Sequence, residues 1–144
     1  MTNEPDKAGR VRRPVTAALL ATLLCLSATA QRQTITGKVV GVSDGDTITV
    51  LDGQQRQYKV RLLGIDAPES NQDFGSRAKQ SLSDLVFGKT VTVTSEAKDM
   101  YGRVLGDVTV DGKNVNLEQV RRGMAWFYRF YAKELRTEDV KAYD

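Results

Sequence analysis

Residues 47–63 read TITVLDGQQRQYKVRLL, and this stretch decides the fold that the sequence predicts. Its two halves, 47–51 and 57–63, are rich in β-branched residues and tyrosine, and Asp52-Gly53 lies between them. Two such halves around an Asp-Gly pair are typical of a β-hairpin. Residues 34–42 alternate in the same way, so three strands are expected to form a meander.

The chain beyond this meander predicts two helices and two further strands. Apolar residues in 74–86 recur at helical spacing and Gly88 follows them, whereas 90–94 and 104–110 again predict strands. In the second helix, Asn116 is expected as the N-cap, Gln119 as its capping-box partner and Gly123 as the terminator.

Five short strands with a helix between the third and fourth indicate a mainly β fold with helices (α+β). The order is that of an OB-fold, a five-stranded Greek-key barrel with flanking helices, although other small barrels share it.

The composition excludes several classes of active site. The chain has 144 residues, no histidine and a single cysteine. A disulfide framework, a Cys/His zinc site and a Ser-His-Asp triad are therefore excluded. The chemistry must use carboxylates, Arg, Lys, Tyr, Ser or Thr.

The first thirty residues predict a secretory leader. Three arginines, Arg10, Arg12 and Arg13, precede the apolar run 15–27, and the small residues 28–30 predict cleavage after Ala30. We expect a secreted or periplasmic protein, with a membrane anchor as the alternative if the leader is kept. Residues 31–144 are expected to be one domain and a monomer, with an incomplete last helix. The formal charge of +3 falls to about +1 without the leader, so charge alone says little about nucleic acid.

Three polar segments, 44–47, 61–70 and 99–103, contain residues that plain strands and turns do not require. Each could be an ordinary loop by itself. Together they place Asp46 and Asp66 at neighbouring strand ends, and strand alternation turns Arg61 away from the apolar face. Two carboxylates and a backbone carbonyl suit a hard cation such as Ca²⁺ or Mg²⁺.

A dication, two arginines and a carboxylate base are the groups that phosphodiester hydrolysis requires. Arginine binds two phosphate oxygens at once, and a carboxylate can take the proton of the attacking water. A glycosidase would explain the carboxylates but would leave Arg61 and Arg103 without a role.

The motifs DGDT, RLLGIDAPE, YGR and VN occur in the order found in the staphylococcal nuclease-like (thermonuclease) family, which residues 34–131 resemble. This resemblance implies a Ca²⁺-dependent nuclease that cleaves DNA and RNA to 3'-phosphorylated products and 5'-hydroxyls. It assigns metal binding to Asp46, Asp66, the Ala67 carbonyl and, through water, Glu69. It also makes Glu69 the general base and Arg61 and Arg103 the phosphate-binding residues, and it assigns substrate contacts to Tyr101 and Tyr131.

Some residues depart from the best-studied pattern of the family. Met100 replaces a phosphate-contacting lysine, Ala67 replaces a threonine, and the loop 70–73 is shorter and lacks lysines. In the aromatic run 126–131, the interpretation as packing surface is favoured for Trp126, Phe127 and Phe130. The remaining alternative is a catalytically weak or inactive nuclease-like OB module that binds nucleic acid or protein.

Overall fold

The computed structural model describes residues 31–128, and five strands in this region close into a barrel. The elements in chain order are β1 (Gln33–Asp44), β2 (Thr47–Asp52), β3 (Gln57–Leu62), β4 (Ile65–Asp66), α1 (Gly75–Val86), β5 (Thr90–Lys98), β6 (Val104–Val110), β7 (Lys113–Asn114), α2 (Val115–Arg121) and β8 (Trp126–Phe127). Strand order is β3-β2-β1-β5-β6-β7, and a parallel pairing of β3 with β6 closes the sheet. The predicted meander and the OB-type barrel are confirmed.

The strands fill the barrel through alternation of their side chains. In β6, every second residue from Val104 to Val110 is buried, and β3 buries Val60 and Leu62 while Lys59 stays exposed. Valine and isoleucine dominate the interior because β-branched side chains pack well on a pleated surface. The fully buried aliphatic residues include Val39, Ile48, Val50, Val60, Leu62, Ile65, Leu82, Val91, Val93 and Val108.

Both predicted helices are present, and the predicted terminators Gly88 and Gly123 follow their C-caps with positive φ, but the N-cap of α2 differs from the prediction. The helix α1 begins after Phe74, which has φ 64° and gives no side-chain cap. The N-cap of α2 is Asn114, whose side chain accepts a hydrogen bond from the Leu117 N–H at 2.9 Å. The prediction of Asn116 as N-cap is wrong, because Asn116 is fully buried and bonds to the Val108 N–H and the Gly106 carbonyl.

The side chain of Gln119 connects the two helices to the barrel and is no capping-box residue. It is fully buried, and its Nε2 donates to the carbonyl of Gly45 at 2.7 Å and to that of Ala78 at 3.2 Å. Its Oε1 accepts from the Ser81 hydroxyl at 2.7 Å. One amide side chain thus fixes α1 and α2 against the turn between β1 and β2.

A second sheet of two short strands lies outside the barrel. In it, β4 pairs antiparallel with β8, so that Ile65 is opposite Phe127 and Asp66 is opposite Trp126. Neither strand was predicted. Within residues 31–128, no helix has the length and apolar character needed to cross a membrane.

Candidate active site

Asp46 lies in the turn between β1 and β2 and is almost fully buried. Its Oδ2 accepts a hydrogen bond from the Ala67 N–H at 2.9 Å, and its Oδ1 accepts one from the Thr47 hydroxyl at 2.9 Å. A Cβ at the preceding Gly45 would press on the Ala78 side chain, so the turn needs glycine there. These hydrogen bonds hold the Asp46 carboxylate in place, and the one from Ala67 connects it to the segment that contains Asp66.

Arg61 joins the two candidate metal-binding carboxylates. Its Nη1 lies 3.1 Å from Oδ2 of Asp46, and its Nη2 donates to Oδ1 of Asp66 at 2.9 Å. Nη1 also donates to the carbonyl of Ile65 at 2.8 Å. The structure therefore brings Asp46 and Asp66 to one point, where both face the same positive charge.

The oxygen donors at this point fit a hard cation. Asp46 and Asp66 supply two carboxylates, and the Ala67 carbonyl belongs to the same segment. No group of three or more His, Cys, Asp or Glu side chains with metal-binding geometry occurs within residues 31–128. A cation held here would draw its other ligands from backbone carbonyl and water, as Ca²⁺ and Mg²⁺ commonly do.

Glu69 lies on a turn that is firmly held at its backbone. The next residue, Ser70, donates through its hydroxyl to Asp44 Oδ1 at 2.7 Å and through its N–H to the same oxygen at 3.1 Å. The Glu69 N–H donates to Oε1 of Gln72 at 2.8 Å. A Cβ at Gly75 would overlap the carbonyl of Glu69, so the start of α1 closes on this turn. The Glu69 residue itself is exposed to solvent.

Closure of the barrel brings Arg103 beside Arg61. Arg103 directly precedes β6, which pairs in parallel with β3, and Leu105 lies opposite Arg61 in that pairing. Both arginines line one open cleft of about 330 Å³ together with Tyr101 and Met100. The cleft presents two guanidinium groups and an exposed tyrosine beside Asp66.

Asp99, which was not predicted as a site residue, holds this second arginine in place. Its Oδ2 accepts from Arg103 Nε at 2.6 Å, while Oδ1 accepts from the N–H groups of Tyr101 and Arg103, each at 2.9 Å. Burial raises the pKa of Asp99, but the hydrogen bonds from Arg103 and Tyr101 outweigh it and leave that pKa below its ordinary value.

The same turn occurs a second time on the barrel. Asp52 accepts from the N–H groups of Gln54 and Arg56 and from Arg56 Nε. Gln55 has φ 64° in this turn, whereas Gly102 has φ 78° at the corresponding place in the other. The sequence predicts the turn at Asp52-Gly53, but the residue with positive φ is Gln55. The repeated spacing of Asp and Arg four residues apart was the available signal for Asp99.

Comparison with known proteins matches residues 59–143 to the family described as "Staphylococcal nuclease homologue". The chain belongs to the staphylococcal nuclease family. Over 85% of its length it is 44% identical to an "Uncharacterized endonuclease" of Haemophilus influenzae, covering 68% of that protein. Over 67% of its length the chain is 51% identical to an "Uncharacterized endonuclease" of Escherichia coli, and the match covers 63% of that protein. Over 67% of its length it is also 49% identical to a "Micrococcal nuclease" of Shigella flexneri, and the match covers 60% of that protein. The chain thus spans about two thirds of the length of these staphylococcal nuclease relatives.

In this member of the staphylococcal nuclease family, one prediction on the aromatic run is wrong. Trp126 was expected to be packing surface, but it is 63% exposed in the small outer sheet, where it pairs with Asp66. Phe127 is half-buried, as a packing residue would be. Tyr131, Phe130, the predicted leader 1–30 and the predicted last helix lie outside the described residues.

Proposed function

We propose that this chain is a metal-dependent nuclease that hydrolyses phosphodiester bonds of DNA and RNA to 3'-phosphorylated and 5'-hydroxyl ends. The observation that carries the proposal is the double ion pair of Arg61 with Asp46 and Asp66 at the edge of the cleft that also contains Arg103. Cationic groups and an oxygen-donor set at one point match a substrate that is anionic and gains charge during reaction.

The two arginines have the role of binding the scissile phosphate. Each guanidinium can donate two hydrogen bonds to phosphate oxygens, and these bonds strengthen as the phosphorus becomes pentacovalent. Arg103 is already oriented by Asp99, so little side-chain entropy is lost when it binds. Tyr101, exposed in the same cleft, and Tyr131 are proposed as further substrate contacts.

Glu69 is the proposed general base. Its carboxylate takes the proton of a water, the water oxygen bonds to phosphorus, the bond from phosphorus to the 5'-oxygen breaks, and that oxygen takes a proton from solvent. The anchored turn at Ser70 and Gly75 holds Glu69 for this task. Ca²⁺, held by Asp46, Asp66, the Ala67 carbonyl and a water on Glu69, would supply positive charge at the phosphate.

The leader-like residues 1–30 support a secreted or periplasmic site of action. An extracellular or periplasmic compartment supplies the free Ca²⁺ that such an enzyme needs, and the chain after residue 30 has no cysteine to oxidise there.

The test is cleavage of single-stranded DNA and RNA with Ca²⁺, with Mg²⁺ and with a chelator, followed by analysis of the new ends. We expect Ca²⁺-dependent cleavage with 3'-phosphates, a loss of several orders of magnitude in Glu69→Gln, and normal turnover in the control Glu96→Gln. Glu96 is an exposed glutamate that pairs with Arg32. Nucleic-acid binding without cleavage by the folded wild-type chain would instead favour the inactive OB module.

A further inference from the structure

Two exposed aromatic side chains line a second cleft, on the other side of the metal-binding segment. Phe74 is 68% exposed and Trp126 is 63% exposed, and the cleft between them measures about 290 Å³. Pro68 lines this cleft, whereas Ile65 lines the cleft of the two arginines. The segment with Asp66 and Ala67 therefore separates the two.

Trp126 adjoins the proposed active site through a backbone pairing. It lies opposite Asp66 in the antiparallel β4 and β8 pair. Directly opposed residues in such a pair project to the same face with their Cβ atoms about 5 Å apart. The indole therefore lies within one residue pair of the segment that carries Asp66, and Glu69 directly follows Pro68 at the edge of the cleft.

Phe74 adopts a backbone conformation that its packing does not explain. It has φ 64° and ψ −3°, a left-handed conformation that is unfavourable for a bulky residue. The side chain gains little burial in return, since most of it is exposed. Unlike Gln55, which has the same φ in a hairpin turn, Phe74 places a large aromatic ring at the mouth of a cleft.

The cleft also contains a cationic side chain, that of Arg77. The Arg77 guanidinium carbon lies 5.7 Å from the centre of the Phe74 ring, and Arg77 lines the cleft. Asp73 contributes one carboxylate to the lining. Two exposed aromatic side chains beside an arginine suit a ligand that has a flat ring and a negative charge, which is the chemistry of a nucleotide.

We propose that the Phe74 and Trp126 cleft binds a nucleotide of single-stranded nucleic acid that flanks the cleaved phosphate, with the base stacked on the aromatic rings and Arg77 near its phosphate. The inference rests on the proposed function. Base stacking on aromatic side chains accepts any base, so this subsite favours unpaired strands over duplex without sequence preference.

Trp126 is the only tryptophan of the chain, so its fluorescence reports on this cleft alone. The experiment uses full-length Glu69→Gln protein with Ca²⁺, titrated with a thymidine 3',5'-bisphosphate and with an oligothymidylate of about eight nucleotides. Binding of the oligonucleotide is followed in parallel by anisotropy of a terminal dye. We expect the longer ligand to quench Trp126 at the same midpoint as the anisotropy change, and the bisphosphate to bind without quenching.

Variants at Phe74 test the stacking directly. Phe74→Leu should weaken oligonucleotide binding about tenfold and leave bisphosphate binding unchanged. Phe74→Gly should weaken it as much while the melting temperature stays level or rises, because glycine tolerates the positive φ. The matched control is Phe87→Leu, which alters a 56% exposed phenylalanine at the other end of α1 and should change neither affinity.

The outcomes distinguish failure of the proposed subsite from failure of the proposed nuclease function. Tight oligonucleotide binding without quenching, or with normal affinity in Phe74→Leu, overturns the subsite and leaves the proposed function intact. Trp126 emission that is already shielded from acrylamide in the free protein means that the cleft is covered, which also overturns the subsite. If neither the bisphosphate nor the oligonucleotide binds, both the subsite and the proposed function are overturned.

Discussion

Arg103 is held by Asp99 through both its backbone N–H and its side-chain Nε, the latter at 2.6 Å. The two residues are four apart in a turn whose backbone closes with the Asp99 N–H donating to the Arg103 carbonyl at 2.9 Å. The guanidinium lies over the Tyr101 ring, 5.5 Å from its centre. A proposed catalytic arginine is thus fixed by its own turn before substrate arrives.

Asp99→Asn should therefore lower kcat/KM for single-stranded DNA about 10- to 100-fold, because a misplaced guanidinium binds the transition state less well. The matched control is Asp52→Asn, which removes the same set of contacts from the Arg56 turn. Steady-state kinetics on both variants show whether Asp99 affects catalysis beyond its effect on stability. Equal activity losses would mean that the Asp99 turn acts only on stability.

The same two aspartates predict the acid sensitivity of the fold. The Asp52 pKa is lowered, chiefly by the backbone N–H of Arg56, and the Asp99 pKa is lowered because hydrogen bonds outweigh burial. A carboxyl with a depressed folded-state pKa stabilises the fold above its ordinary value of 3.8. This stability is lost as the pH falls from there through the lower folded-state pKa.

Urea unfolding from about pH 7 down to about pH 3 measures this loss. The double variant Asp52→Asn with Asp99→Asn should lose less of its unfolding free energy on acidification than the wild type. Parallel curves for the two proteins would assign the acid sensitivity to other carboxylates.

Local patterns predicted the barrel because its strands alternate and its helix α1 has a clear apolar face. The strands β1, β2, β3 and β6 differ from their predicted ranges by a few residues at most, and β5 extends to Lys98. Asp46 meets Arg61 because β2 pairs with β3, and Asp66 follows β3 directly. Barrel closure through β3 and β6 then brings Arg103 to the same cleft.

Features that depend on contacts far along the chain could not be predicted. The strands β4 and β8 have two residues each, too few for any periodicity, so neither their pairing nor the exposure of Trp126 could be predicted. Asn116 and Asn114 carry equally good capping side chains, and burial against β6 decides between them. Gln119 has the spacing of a capping residue, yet its amide donates a hydrogen bond to the carbonyl of Gly45, 74 residues earlier.

Calcium binding should be measurable as thermal stabilisation. A ligand that binds only the folded state raises its melting temperature in proportion to the logarithm of its concentration. We expect this rise in the wild type and its loss in Asp46→Asn, because Asp46 is a buried carboxylate of the proposed site. The control Asp84→Asn changes an exposed aspartate on α1 and should keep the rise. A full calcium effect in Asp46→Asn would place the metal elsewhere.

Arg61 neutralises the carboxylates that the cation would need, which predicts opposite effects on binding and catalysis. Arg61→Gln removes a positive charge within 3.1 Å of Asp46, so isothermal titration should show tighter Ca²⁺ binding than in the wild type. The same variant should lose cleavage by several orders of magnitude, since a proposed phosphate-binding group is gone. Weaker calcium binding in Arg61→Gln would show that the arginine organises the carboxylates more than it competes with the metal.

Gln119 couples the stability of the helices to the proposed metal-binding turn. Gln119→Leu leaves the Gly45 carbonyl and the Ser81 hydroxyl without their buried partner, and this should cost about 2 to 4 kcal/mol in urea unfolding. Ser81→Ala removes only one hydroxyl from the network and should cost about 1 kcal/mol. Because Gly45 precedes Asp46, Gln119→Leu should also weaken Ca²⁺ binding, whereas Ser81→Ala should not. If Gln119→Leu is destabilised yet binds Ca²⁺ normally, the turn is held by the Asp46 contacts with Ala67 and Thr47 alone.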